Sequence, residues 1–155
     1  MNAGAHPRLT RKMIDSLYLE AMLLADEARS YFDVNGRIDR DALAPVDRVA
    51  FSCESLRVTT RLMHVIAWLL TRKAVAAGEI SEAQATAPER RLGRTHGGDP
   101  EMMGGLPGTA CQIIAATGEL YQRVTRLDEE MRRLGLSESP ARSLFHRLEG
   151  AFQAA

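Results

Sequence analysis

The chain has 155 residues, which is enough for one domain with a substantial hydrophobic core. Its 20 basic and 20 acidic residues cancel, so the chain lacks the basic surplus that phosphate binding requires. Two cysteines, Cys53 and Cys111, match no metal or redox spacing; because both lie in apolar helical patterns, we expect buried thiols rather than a disulfide. The start of the chain has no signal-peptide core, and Leu62–Leu70 is too short to span a bilayer, which predicts a cytoplasmic protein without a membrane segment.

The first predicted helix runs from about Thr10 to Phe32, where apolar residues recur at steps of three and four. Asn35 and Gly36 follow it. Because both residue types tolerate the left-handed conformation that closes a helix, we expect this helix to end there.

The second predicted helix begins at Pro45 and ends near Ala77, before Gly78, and it is apolar on two sides. One side carries Val49, Cys53, Leu56, Thr60, Met63, Ala67, Leu70 and Ala74. The opposite side carries Phe51, Val58, Leu62, Val65 and Leu69. A surface helix has one apolar stripe, so two sides indicate either a central core helix or a helix with one face in the core and one against a partner.

Between Glu79 and Pro107 the density of glycine and proline predicts a long loop, with a short helical turn capped by Ser81. A third helix follows up to Gly135, with one apolar and one charged side. The pattern therefore predicts an all-α fold, a three-helix up-down-up bundle over residues 1–136. Residues 137–155 are expected to form a flexible amphipathic C-terminal tail, with one apolar side made of Leu144, Phe145, Leu148 and Phe152.

The sequence contains no recognisable catalytic, cofactor-binding or metal-binding set of residues. His64 and Cys53 lie eleven positions apart on one helix, about 16 Å at 1.5 Å per residue, which is beyond proton-transfer reach. His96 has no second ligand at metal-binding spacing. Gly104–Gly108 precedes a helix, but the lysine and the preceding strand of a phosphate-binding loop are absent.

Three segments resemble the RcdA family of alphaproteobacteria, regulators of cell-cycle-controlled proteolysis. They are Asp15–Phe32 (DSLYLEAMLLADEARSYF), Arg48–Leu70 (RVAFSCESLRVTTRLMHVIAWLL) and Leu106–Val124 (LPGTACQIIAATGELYQRV). The resemblance implies a helical adaptor that dimerises, carries a mobile C-terminal tail, and occurs in the cytoplasm and in polar foci. It also implies that the protein is not an enzyme and has no cofactor.

The resemblance implies a mechanism as well: together with companion adaptors, such a protein delivers substrates such as the cell-cycle regulator CtrA to the AAA+ protease ClpXP. For a homodimer, the surplus apolar surface of the first two helices would form the seam. Its expected residues are Leu19, Leu23, Leu62, Val65, Ile66 and Leu69. The apolar side of the tail would lie in a groove of a protein cargo or partner.

Two alternative functions stay open at this point. A DNA-associated regulator would use Arg90, Arg91 and Arg94 beside the glycine-rich loop, although the zero net charge argues against nucleic acid. A small all-helical enzyme would need Arg57, Arg61, His64 or His96 to converge under the loop 79–108.

Overall fold

A computed structural model describes the backbone of residues 5–95, 97–98 and 100–153 and the side chains of residues 10–95, 97–98 and 100–134. The described backbone is helical apart from short connections, and it contains no strand. This confirms the all-α class. The chain divides into two compact units, residues 1–121 and 122–155.

The helices begin and end as follows. Helix α1 spans Ala5–Ser30, a π-helical turn spans Tyr31–Asn35, α2 spans Gly36–Asp41, α3 spans Pro45–Ala76, α4 spans Glu82–Ala85 and α5 spans Gly108–Gln153. Two 3-10 turns, Pro88–Arg90 and Pro100–Gly105, lie in the connection between α4 and α5.

The expected helix end at Asn35–Gly36 is wrong, because the π-helical turn carries the chain directly into α2. Gly36 has helical dihedral angles, φ −64° and ψ −27°. A Cβ at this position would lie 2.9 Å from the Tyr31 carbonyl oxygen and 3.3 Å from Phe51 Cζ. Glycine is therefore needed here mainly because the Tyr31 carbonyl oxygen approaches so closely, and Phe51 adds a second tight contact. The Phe51 ring packs edge-on to Phe32 with centroids 5.5 Å apart.

Helix α3 has the predicted ends. Pro45 occupies its first turn, and Gly78, with φ +75°, follows its last residues. Helices α1 and α3 are antiparallel, because the start of α1 contacts the end of α3. Lys73 Nζ donates to Asp15 Oδ1 over 2.7 Å, and Arg11 donates to the Ala76 carbonyl oxygen over 2.8 Å.

Residues 1–121 have one hydrophobic core to which three helices contribute. Its members include Ile14, Leu17, Ala21 and Leu24 of α1, Phe51, Val58, Leu62, Val65, Trp68 and Leu69 of α3, and Ala110, Ile113, Ile114 and Leu120 of α5. At about 25 cal/mol per Å² of apolar surface buried, these side chains supply the main stabilising free energy of this unit.

The connection between α4 and α5 determines the direction of the last helix. It returns along α3, since Gly93, Gly98 and Gly105 lie against His64, Glu54 and Asp47 in turn. Helix α5 therefore starts beside the beginning of α3, and its Thr117 meets Arg61 of α3. Up to Tyr121, α5 runs in the same direction as α3, which differs from the up-down-up order expected from the sequence.

The backbone of α5 is helical through Gln153, so the helix does not end at Gly135 as expected. A glycine inside a helix costs only about 1 kcal/mol relative to alanine, which does not end a long helix by itself. In residues 122–155, Arg132 pairs with the largely buried Asp128 one turn before it. The tail side chains Leu144, Phe145, Leu148 and Phe152 lie outside the residues whose side chains are described, and the mobility of the tail stays a prediction.

Candidate functional site: two faces of helix α3

Helix α3 has a buried and an exposed apolar face, as its sequence indicated. On the buried face, Val58, Val65 and Leu69 are at most 1% exposed. On the opposite face, Leu56 and Met63 are 69% and 64% exposed. The first face belongs to the core of the chain, and the second is available to another molecule.

Three residues expected in a dimer seam belong to the buried face. Leu62, Val65 and Leu69 are 5%, 0% and 0% exposed, so a second copy cannot reach them without opening the core. Their assignment to a seam is wrong. The physical reason is that both sides of α3 are apolar, and spacing alone does not distinguish the side that faces α1 and α5.

The other expected seam residues are accessible. Leu19 and Leu23 of α1 are 61% and 65% exposed, and Ile66 of α3 is half-buried. They stay candidates for a contact between copies.

The exposed face of α3 is largely apolar and uncharged, and we call it the α3 stripe. Its residues lie three or four positions apart: Val46, Val49, Cys53, Leu56, Thr60, Met63, Ala67, Leu70, Ala74 and Ala77. Ala74 is half-buried and the others are exposed. Cys53 is therefore not buried as expected, although both Cys53 and the half-buried Cys111 are free thiols as predicted.

A third side of α3 carries polar groups that lie inside residues 1–121, and the buried Glu54 Oε2 and His64 Nδ1 atoms have no hydrogen-bond partner among the described residues. Glu54 is buried and pairs with Arg57. Arg61, also buried, donates to Thr117 Oγ1 over 3.0 Å and to the Ile114 carbonyl oxygen over 3.4 Å. Burial lowers the pKa of Arg61, while the charge of Glu54 opposes that shift.

His64 lies at the end of this polar side, under the glycine-rich connection. A Cβ at Gly93 would be 2.5 Å from two atoms of the His64 ring. Tyr121 of α5 holds the same segment, because its hydroxyl donates to the Gly93 carbonyl oxygen over 2.8 Å and accepts from the Thr95 backbone N–H over 3.3 Å. Trp68, the other side chain whose direction the sequence left open, is in the core.

Two further glycines of the connection lie against carboxylates of α3. Gly98 contacts the Glu54 carboxylate, and Gly105 contacts that of Asp47. A larger residue at either position would collide with these groups. The glycines of this segment therefore permit close packing on α3. Their spacing in the sequence, which lacks the pattern of a phosphate-binding loop, does not indicate this role.

The two alternative functions find little support in the described residues. Arg57, Arg61 and His64 do share one side of α3, but the two arginines are engaged by Glu54, Thr117 and the Ile114 carbonyl group. Among the described residues, no group of three or more His, Cys, Asp or Glu side chains is arranged to hold a metal ion.

The arginines proposed for DNA binding also have local roles. Arg90 donates to the Gln84 carbonyl oxygen over 3.1 Å and Arg91 to that of Thr86 over 3.3 Å, while Arg94 is exposed. These bonds stabilise the segment after α4 and occupy the two guanidinium groups locally. The remaining histidine candidate, His96, lies outside the described residues.

Comparison with known proteins gives the family. No helix among the described residues has the length and hydropathy to cross a bilayer. No curated protein sequence matches the chain. The structure is similar to the crystal structure of RcdA from Caulobacter crescentus CB15, with 32% sequence identity, a TM-score of 0.64, and coverage of 76% of this chain and 89% of that chain. The profile of the family described as "Protein of unknown function (DUF1465)" matches residues 5–152, and the chain therefore belongs to this RcdA-type family.

Proposed function

We propose that this protein is a non-enzymatic adaptor that helps deliver cell-cycle regulators resembling CtrA to the ClpXP protease, together with companion adaptors. The similarity to RcdA carries this proposal, because it covers most of both chains at 32% identity. An adaptor needs no chemistry of its own. Tethering a substrate beside the protease raises its effective concentration, commonly to the millimolar range for a short flexible link.

Exposed apolar surface supports this role. Uncharged, exposed side chains follow the α3 stripe along nearly the whole helix, and Leu19 and Leu23 add exposed leucines on α1. Large exposed apolar patches on a globular protein indicate sites of protein interaction. We infer that one of these surfaces joins two copies into a homodimer and that others bind companion proteins.

The C-terminal part of α5 is the proposed cargo contact. Its backbone is helical to Gln153, and the sequence spaces Leu144, Phe145, Leu148 and Phe152 along one side of that helix. A helix with one apolar side binds into a groove of a partner through residues at such spacing. Two tails in a dimer would hold a cargo more firmly than one, because the second contact becomes intramolecular.

A reconstituted degradation assay tests this function. ClpXP, a CtrA-like cargo and the companion adaptors are mixed with the protein, and the rate of cargo loss is measured. We expect the quadruple change Leu144→Ser, Phe145→Ser, Leu148→Ser and Phe152→Ser to reduce degradation to the level without the protein. The control changes His146→Ser and Gln153→Ser, on the other side of the helix, should leave the rate unchanged. No stimulation by the unaltered protein, with any cargo offered, would contradict the adaptor role.

A further inference from the structure

The α3 stripe has the repeat of a coiled-coil seam. Its members alternate steps of three and four from Val46 to Ala77, about 46 Å along the helix at 1.5 Å per residue. No acidic or basic residue is among them. Two of its large side chains, Val46 and Leu56, are 68% and 69% exposed. A helix face of this length without charges is expected to meet another helix rather than water.

Large and small residues are distributed along the stripe in a mirrored way. The mirror point lies between Arg61 and Leu62, and two residues at equal distances from it form a matching pair, whose residue numbers add up to 123. Each pair joins a larger residue with a smaller one: Val46 with Ala77, Val49 with Ala74, Leu70 with Cys53, Leu56 with Ala67 and Met63 with Thr60.

This mirror relation makes the stripe complementary to itself in one direction only. When two copies of α3 lie antiparallel, with the mirror point on a two-fold axis, each layer of the seam contains one larger and one smaller side chain. A parallel, in-register pair would instead stack alanine on alanine at position 67 and leucine on leucine at position 56. Layers of two alanines leave unfilled space beside layers of two leucines, whereas the layers of the antiparallel pair are similar in volume, so the antiparallel pair packs better.

We propose that the α3 stripe binds the α3 stripe of a second copy in this antiparallel register, with the two-fold axis beside Arg61 and Leu62. The proposal rests on the self-association inferred above and names the surface and register that perform it. A two-fold interface is isologous, since residue i of one copy meets residue j of the other and the reverse. The exposed leucines of α1, Leu19 and Leu23, show no such complementary pattern and form the rival surface.

The first experiment separates the two surfaces. Light scattering after size-exclusion chromatography measures the mass of the full chain, of the α3 double variant Leu56→Glu with Met63→Glu, and of the α1 double variant Leu19→Glu with Leu23→Glu. All four side chains are exposed, so each variant should keep the circular dichroism of the folded chain. We expect a dimer for the unaltered chain and the α1 variant. In the α3 variant, four buried carboxylates should raise the dissociation constant at least about 100-fold.

The outcomes distinguish the α3 seam from the existence of a dimer. Dissociation of the α1 variant alone would overturn the α3 seam while leaving a dimeric adaptor. A monomeric unaltered chain at tens of micromolar would overturn the seam and the dimer together, and the degradation assay would then decide the adaptor role separately.

The second experiment tests the register by cysteine cross-linking. In the antiparallel register, position 53 of one copy shares a layer with position 70 of the other, whereas the Cα atoms of the two residues at position 53 are offset along the axis by about 25 Å. In a Cys111→Ser background, we expect mild oxidation to leave the native Cys53 thiols uncoupled. Adding Leu70→Cys to this background should give a covalent dimer through a disulfide between positions 53 and 70. A disulfide between the two Cys53 thiols, which a parallel pair would place side by side, would overturn the register.

Discussion

Gly93 lies flat against the imidazole ring of His64, and this contact joins the glycine-rich connection to the middle of helix α3. A Cβ at position 93 would come within 2.5 Å of ring atoms Cε1 and Nδ1. The Tyr121 hydroxyl also donates a hydrogen bond to the Gly93 carbonyl oxygen. The returning path of the connection, and with it the direction of α5, depends on close contacts of this kind.

We expect Gly93→Ala to destabilise the protein by about 1–3 kcal/mol, because the added methyl group must displace either the ring or the connection. Gly97→Ala is the matched control: nothing lies within 4 Å of a Cβ at that position. The control should be neutral or slightly stabilising, since alanine restricts the unfolded chain. Urea unfolding of both variants measures the difference, and equal stabilities would show that the connection does not pack on His64.

Tyr31 should give the stability of the protein a dependence on alkaline pH. Its hydroxyl donates to Asp39 Oδ2 over 2.7 Å. Burial, followed by this hydrogen bond and the Asp39 charge, raises the pKa of Tyr31 above its usual 10.0. The folded state therefore keeps a proton that the unfolded state releases, so this stabilisation is complete below pH 10 and is lost as the pH rises above it.

We expect Tyr31→Phe to cost about 1 kcal/mol at pH 7, the usual net value of a hydrogen bond. The difference in unfolding free energy between the unaltered chain and the variant should shrink when measured at successive pH values above 10. Guanidinium titrations at each pH provide the comparison. A difference that stays constant to pH 11 would mean that Tyr31 ionises equally easily in both states.

Local chemistry explains which parts of the fold were predictable. Pro45 and Gly78 mark the start and the end of α3, because each residue acts on the conformation of its own backbone. Ser81 caps α4 through reciprocal hydrogen bonds with Gln84. The role of Gly36 does not follow from its residue type, because it depends on a π-helical turn that brings the Tyr31 carbonyl oxygen close and on Phe51, which is distant in sequence. The identity of a single residue does not predict such a contact.

The α3 stripe was predictable only in part, because its assignment also depends on contacts between residues that are distant in sequence. The spacing predicts two apolar sides of α3 but does not indicate which side faces the core, and the predicted seam therefore includes the buried Leu62, Val65 and Leu69. The course of the connection decides this question, because it fixes where α5 packs. Buried Arg61 gave no signal either: its partner Thr117 lies 56 positions away.

Two consecutive leucines of α1 test the division between core and surface. Leu24 is 9% exposed and Leu23 is 65% exposed. We expect Leu24→Ala to lower the unfolding free energy by about 2–5 kcal/mol, because it leaves a cavity. Leu23→Ala should change it by no more than about 0.5 kcal/mol. Thermal and urea unfolding give both values, and a large effect of Leu23→Ala would reveal an apolar contact of α1 in solution.

Arg61 offers a test of whether a buried charge stabilises this fold. Its guanidinium donates to Thr117 Oγ1, but the Thr117 hydroxyl also donates to the Ile114 carbonyl oxygen over 3.0 Å, so Thr117 stays partnered without the arginine. Glu54 likewise keeps Arg57. Burial lowers the pKa of Arg61, which means that the site disfavours the charged form.

We expect Arg61→Met, which keeps most of the volume but removes a positive charge near the buried Glu54 carboxylate, to lower the unfolding free energy by about 1–3 kcal/mol. Arg61→Ala should cost about 2–5 kcal/mol, because it also removes the packing of the side-chain stem. Chemical denaturation of the two variants separates charge from volume. If Arg61→Met were as costly as Arg61→Ala, the guanidinium itself would hold α5 against α3, and the hydrogen bond to Thr117 would be the contact that fixes the position of α5.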